Sequence, residues 1–517
     1  MENDNIDDKN FKSKEEFDSK YALRVMLILA GLVLIVMYIE GMLTPSLPAI
    51  EKEFNISVAQ ASLLLSTYLI GGVALTPVIG KLGDLYGKKK MLTIVLVIYS
   101  ISVSVTGFSP TYDFMIAART VQGIGLAIMP LGMSLVREEF PREIVPRAQA
   151  LISAMFGVGF AISLPLGSLI SNDFGWRMTY HSAIPFIIFL AVITFVMVKE
   201  SRFRRPEVKI DYIGATLLAL SLAFIVFALS EGSSWGWYST STIGLVMTGI
   251  ILLFPLLIYE RRYSLNGGEA IIHFKLLSMR NVMVANIILS ISGMGMFLAM
   301  QALTYKFEDP SPAGFNLSIL GTGLSLVPFA LGIFFLAIVT GKMVSKTGVK
   351  PLAILGASIA AAAFLLMAYS TSYDEILFLE FFTGGGLSLM NASLINLIIL
   401  TVNPRDMGLA TAMNGTFRNV GSSIGAPIAG SIMSTITAVY LVGSYNNQPV
   451  YAPLPSPSAY FIIFIISAAA FGLAAILTLT AEEVLGTGKK ARKLKVARLP
   501  SSNPEKTVWR ENQKENV

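Results

Sequence analysis

The chain is 517 residues long, 54% hydrophobic and only 14% charged, with a formal net charge of +6. Soluble domains carry about 25% charged residues, so a soluble globular protein is excluded. With no cysteine and only two histidines, His181 and His273, the composition also argues against disulfide frameworks, thiolate zinc sites, iron–sulfur clusters and histidine-based catalysis.

Stretches free of Lys, Arg, Asp and Glu recur from one end to the other, among them 54–80, 91–112, 148–172, 232–259, 310–341, 351–373 and 419–481. A membrane helix needs about 20 such residues. With Gly, Pro, Asn and charge clusters as punctuation, the chain predicts fourteen helices. They lie near 22–44, 58–79, 91–108, 113–136, 148–170, 181–198, 212–230, 242–259, 282–302, 316–340, 352–370, 374–399, 408–435 and 459–480. Residues 1–20 mix both charges and the first apolar run is long enough to span. The first helix is therefore expected to be its own insertion signal rather than a cleaved peptide.

Charge sets the expected orientation. Of the 39 Lys and Arg, 34 fall in the tails and alternate loops of one side, three (Lys52, Arg177, Lys306) on the other, and Arg119 and Arg418 inside helices. The positive-inside rule then puts both termini in the cytoplasm of a multi-pass cell-membrane protein. The basic residues are spread over many segments, so they suit a bilayer with an anionic inner leaflet and call for no nucleic-acid partner. The tail Lys489-Lys490-Ala491-Arg492-Lys493-Leu494-Lys495 reads as a lipid-facing anchor.

An internal repeat orders the helices. Gly80-Lys81-Leu82-Gly83-Asp84-Leu85-Tyr86-Gly87 ends the second, and Gly341-Lys342-Met343-Val344-Ser345-Lys346-Thr347-Gly348 ends the tenth, 261 residues later. The same offset carries Glu40 onto Gln301, Arg119 onto Glu380, Gly123 onto Gly384 and Gly125 onto Gly386. The expected organisation is an all-α membrane protein of two six-helix bundles, 22–200 and 282–480. A linker with two inserted helices (201–281) and cytoplasmic tails (1–21 and 481–517) complete it. Parallel repeats of this kind are an architecture of secondary transporters.

The motif Gly80 to Lys90, with its three spaced glycines, Asp84 and the run Lys88-Lys89-Lys90, resembles the cytoplasmic signature of the major facilitator superfamily. Arg119-Thr120-Val121-Gln122-Gly123-Ile124-Gly125, Gly175-Trp176-Arg177, Asp211-Tyr212-Ile213-Gly214-Ala215 and Ser230 to Trp237 are similar to segments of its fourteen-helix drug:proton antiporter branch, the EmrB/QacA type. The resemblance covers most of the chain and implies the major facilitator fold. It also implies gating at Gly80, Gly83, Asp84, Gly87 and Lys88, a small-molecule substrate, proton coupling, no cofactor and a monomer. The fifth helix departs from the pattern: Ser163-Leu164-Pro165-Leu166-Gly167-Ser168 stands where the antiporter signature has Gly-Pro and a Gly-Gly pair, which leaves the direction of transport open.

Four charges, Glu40, Arg119, Glu380 and Arg418, lie well inside the predicted helices. Each costs about 2.5–3.5 kcal/mol at the bilayer centre if it faces lipid, so each must face water or another charge. Arginine cannot shed its proton, which makes Glu40 and Glu380 the candidate proton carriers. Glu380 has an alternative role, neutralising Arg418. Helix geometry puts Glu40 about 24–27 Å from the cytoplasmic start of its helix and Arg119 and Glu380 roughly 9 Å below the outer starts of theirs, comparable depths. In the superfamily the first and fourth helices of each bundle line the cavity. The resemblance thus gathers Glu40, Arg119, Gln122, Gln301 and Glu380 around one chamber, with Phe297 and Met300 in an adaptable apolar wall. The expected activity is proton-coupled export of amphipathic or cationic molecules; import or export of one metabolite is the alternative. No HExxH, phosphate-cradling loop or soluble domain points to an enzyme.

Overall fold

The computed structural model describes residues 19–484 apart from 141–143, 202–203, 205–209, 267, 269, 404–405 and 446–447. In the first half, α1 (Ser19–Gly41) is followed by a 3-10 turn (Thr44–Ser46), α2 (Leu47–Phe54), α3 (Val58–Tyr86) and α4 (Lys88–Gly107). Then come α5 (Tyr112–Gln122), a 3-10 stretch (Gly123–Ala127), α6 (Ile128–Glu139), α7 (Val145–Phe174) and α8 (Trp176–Met197). The middle holds α9 (Tyr212–Trp235), α10 (Thr240–Leu265) and the short α11 (Phe274–Leu277). The second half runs through α12 (Arg280–Glu308), α13 (Ile319–Ser325), α14 (Val327–Thr347), α15 (Val349–Tyr369), α16 (Tyr373–Thr401) and α17 (Met407–Thr435). It ends with strands β1 (Thr437–Tyr445) and β2 (Gln448–Pro455) and with α18 (Pro457–Leu479).

Among the described residues, twelve helices are long and apolar enough to cross a membrane, and the chain is a multi-pass membrane protein. The 30-residue α7 and 29-residue α17 run beside them.

The two halves pack by one scheme: α1 on α7, α3 on α5 and α4 on α8 in the first; α12 on α17, α14 on α16 and α15 on α18 in the second. The repeat extends to their caps. Gly87 (φ +111°) starts α4, whose Lys89 and Lys90 amides each donate to the Glu200 carboxylate at 3.0 Å. Gly348 (φ +92°) starts α15, whose Val349 and Lys350 amides donate to Glu483 at 3.2 and 3.0 Å. Both glycines hold left-handed conformations that leave room for the carboxylate. Of the inserted pair, α10 leans on α9, and α9 packs on both α3 and α17.

One region differs from expectation. The segment after α17, predicted as a loop, is an antiparallel hairpin with Val439 opposite Pro453 and Leu441 opposite Tyr451. Alternation of Thr437, Val439 and Leu441 on one face produces it. The hairpin marks one end of the molecule; Ser19 and Leu479 lie at the other. The bundles meet at the hairpin end. There Ala59 N donates to Ser434 Oγ at 3.1 Å, and a Cβ on Gly430 would stand 2.8 Å from Ala59 Cα.

Candidate substrate and proton site

Glu40 is buried one residue before the end of α1, and Arg119, 0% exposed, occupies the last turn of α5. Glycines set the Arg119 helix close against α3. A Cβ on Gly71 would stand 2.0 Å from Thr120 O, and one on Gly123 2.4 Å from Tyr68 O, so α3 and α5 cross with backbone against backbone. Arg119 is thereby held on three sides: Nη2 lies 3.4 Å from Glu40 Oε2, Nε donates to Leu64 O at 3.0 Å, and the guanidinium stacks 4.8 Å from the Tyr68 ring centre. Buried Tyr99 and Tyr180 complete its surroundings. Breaking such a pair from one side costs about 3–5 kcal/mol, because the remaining charge stays buried.

The second oxygen of Glu40, Oε1, has no hydrogen-bond partner. Glu40 borders a cavity of about 10 Å³, the room one water needs. Thr44, Leu65 and Phe160 line it from the first bundle, and Met296, Phe297 and Met300 on α12 from the second. A carboxylate thus meets thioether and aromatic groups across the seam between the halves, a wall that can repack around varied shapes.

Glu40, Phe297 and Met300 therefore share a cavity, whereas Gln122, Gln301 and Glu380 are not on its lining. Gln122 accepts from Thr106 Oγ1 at 3.4 Å just before α5 tightens into the 3-10 stretch. Gln301 is fully buried and neither of its amide atoms finds a partner. Glu380 is also fully buried with both oxygens unpartnered. No hydrogen bond joins either Glu380 oxygen to Arg418. Their helices pack chiefly elsewhere: α16 on α14 and α15, with smaller contacts to α12 and α17, and α17 on α12, where Arg418 O sits 2.8 Å from the Cβ position of Gly293.

In the signature turn, the Lys88 side chain is only 2% exposed and bridges Asp84 Oδ1 at 2.8 Å and Glu138 Oε1 at 2.7 Å. It ties α3, α4 and α6 within one bundle, rather than one bundle to the other. A Cβ on Gly83 would come 2.8 Å from Leu131, so this glycine permits the α3–α6 approach; Gly80 has open space around it. Sequence reasoning missed Glu138 and Glu200 because both sit in charged helix ends, where acidic residues are ordinary.

The class these features define is an all-α membrane fold of two like-built helical bundles, with the Glu40–Arg119 pair buried in the first and Glu40 bordering the cavity between them. The Major Facilitator Superfamily model matches residues 29–308 and 282–515, and the chain belongs to that superfamily. It is 27% identical over 429 residues to an uncharacterized MFS-type transporter of Mycobacterium tuberculosis, covering 81% of this chain and 61% of the relative's own length. It is 25% identical over 392 residues to multidrug resistance protein 3 of Bacillus subtilis, 74% of each chain. The nucleoside transporter NupG shares the fold with a TM-score of 0.61 at 12% identity, over 88% of this chain and 99% of that one.

Proposed function

We propose that the protein is a proton-coupled exporter of amphipathic or cationic small molecules, a fourteen-span transporter of the drug:proton antiporter branch with both termini and the basic tail in the cytoplasm. The observation that carries the reading is the carboxylate of Glu40, half committed to Arg119 and half without a partner, at a cavity whose opposite wall belongs to the other bundle. A proton and a cationic substrate compete for the free oxygen, so each favours release of the other, and an inward proton gradient drives export. The bundles 22–200 and 282–480 rock about this cavity, with Gly80, Gly83, Asp84, Gly87 and Lys88 gating the cytoplasmic side. Glu380 is a second proton carrier and Arg418 a structural charge. Gln122 and Gln301 adjust the chamber as it opens. Relatives named as multidrug resistance proteins support this substrate class.

Glu40→Gln in reconstituted vesicles is the decisive variant. Loss of proton-driven transport with normal folding is expected; unchanged transport removes Glu40 from the mechanism. A second reading, transport of one metabolite, draws on α7: Ser163 and Ser168 stand in place of signature glycines, and the clearance for them comes from Gly41 and Gly323 on the facing helices. Protection of a pump-deficient host against many dyes and quaternary ammonium compounds separates the two, since a single-metabolite carrier confers none.

A further inference from the structure

Two acidic side chains at the foot of the inserted helices have no part in the transport reading. Asp211, the N-cap of α9, is 2% exposed, and Glu260, near the end of α10, is 0% exposed. Each uses one oxygen: Asp211 Oδ1 accepts from Gly214 N at 2.7 Å, and Glu260 Oε2 accepts from Ile272 N at 3.2 Å. The other oxygens, Asp211 Oδ2 and Glu260 Oε1, find no donor. Both lie 2.5 Å from where a Cβ on Gly214 would stand, which bounds their separation at twice that distance. Any side chain at 214 would fill the space into which they converge.

Among the described residues, the ionisable groups around them are few. Lys81 approaches from α3, Tyr259 and Tyr263 from α10, and His273 follows the residue whose amide Glu260 binds. One lysine against two buried carboxylates leaves a net negative charge out of water, and two carboxylates this close cannot both ionise cheaply. We propose that Asp211 and Glu260 share one proton between Oδ2 and Oε1. This is a proton-binding site apart from Glu40, and it fastens α9 and α10 to α3 beside the Gly80–Gly87 turn. Solvent at the termini end supplies the proton. Its loss sets two like charges against each other at the joint and loosens the inserted pair from the bundle.

The inference does not depend on the direction or the coupling of transport. Infrared spectra of the full chain in lipid nanodiscs at neutral pH test it, comparing wild type, Glu260→Gln and Asp211→Asn. The expected result is a protonated-carboxyl band in wild type that each single variant loses to the same extent, and that added sodium or potassium leaves in place. Thermal unfolding adds a second readout: raising the pH should lower the wild-type midpoint more steeply than that of Glu260→Gln. Full band intensity in either variant, removal of the band by salt, or equal pH slopes overturns the proposal. Should Asp211→Asn fail to fold through loss of its cap, Glu260→Gln alone still decides.

Discussion

The Ser168 hydroxyl oxygen lies 2.0 Å from where a Cβ on Gly323 would stand, so α7 of one bundle meets α13 of the other at a position that admits no side chain. Gly323→Val is expected to hold the hairpin end apart while each bundle keeps its own packing. Overpacking costs about 1–3 kcal/mol, which lowers the closed population roughly five- to 150-fold. Transport should fall in proportion. Thiol labelling at Ser434→Cys, the only cysteine in a chain that has none, should rise. Undiminished transport by a well-folded Gly323→Val would show that this seam need not close.

Arg119 is predicted to be more costly to remove than Glu40. Arg119→Ala leaves Glu40 buried without its cation and Leu64 O without its donor, a loss of about 3–5 kcal/mol. Glu40→Gln keeps a hydrogen-bonding group of the same shape. Thermal unfolding in detergent should rank wild type, Glu40→Gln and Arg119→Ala in descending order. Arg119→Lys belongs between the last two, because it keeps the charge but cannot reach both partners in a planar fork. The reverse order for the two truncations would contradict the geometry.

Lys88→Met tests the bridge at the signature turn. It removes two charge-assisted contacts, each worth about 1.5–3 kcal/mol, and leaves Asp84 and Glu138 facing each other across the vacated space. Stability should drop by roughly 3 kcal/mol. Adding Glu138→Gln should recover part of it by lifting the repulsion, and a double-mutant cycle of melting midpoints measures that coupling. Strictly additive losses would mean that Lys88 holds Asp84 alone.

What the chain disclosed in advance follows from where each residue sits. Glu40 and Arg119 were legible because a charge within twenty apolar residues has no cheap place except against a partner. The same rule passed over Glu260, which lies just past the predicted end of its helix at 259, where charge is unremarkable. The repeat was legible at Gly87 and Gly348, yet their matching carboxylates, Glu200 and Glu483, fall 113 and 135 residues further on. The additional length in the second copy accommodates the hairpin 437–455, so no single offset reveals the pair. Thr44, Leu65 and Phe160 carry no local signal at all. They line the cavity only because helices distant in sequence cross there, at glycines whose role is set by the facing backbone.

Asp309, just beyond the end of α12, gives a pH dependence with a definite sign. Burial pushes its carboxyl up from the ordinary value to about 6, against the opposing pull of the Tyr460 hydroxyl, which donates to Oδ2 at 2.7 Å, and of Lys52. Glu51 and Glu308 share the neighbourhood and feel the charge that Asp309 takes on. A folded-state pKa above the unfolded one means that the folded chain binds the proton more tightly. The stabilisation is complete below the ordinary carboxylate range, about 3.9, and disappears as pH rises through about 6. Asp309→Asn keeps an oxygen for Tyr460 but has no proton to lose. Its melting midpoint should therefore fall less steeply through this window than that of wild type, and the variant should be the more stable of the two above that pH. Parallel curves through this window would mean that Asp309 is solvated in the folded protein, and that the contact between α12 and α18 at the hairpin end is looser than the Tyr460 hydrogen bond requires.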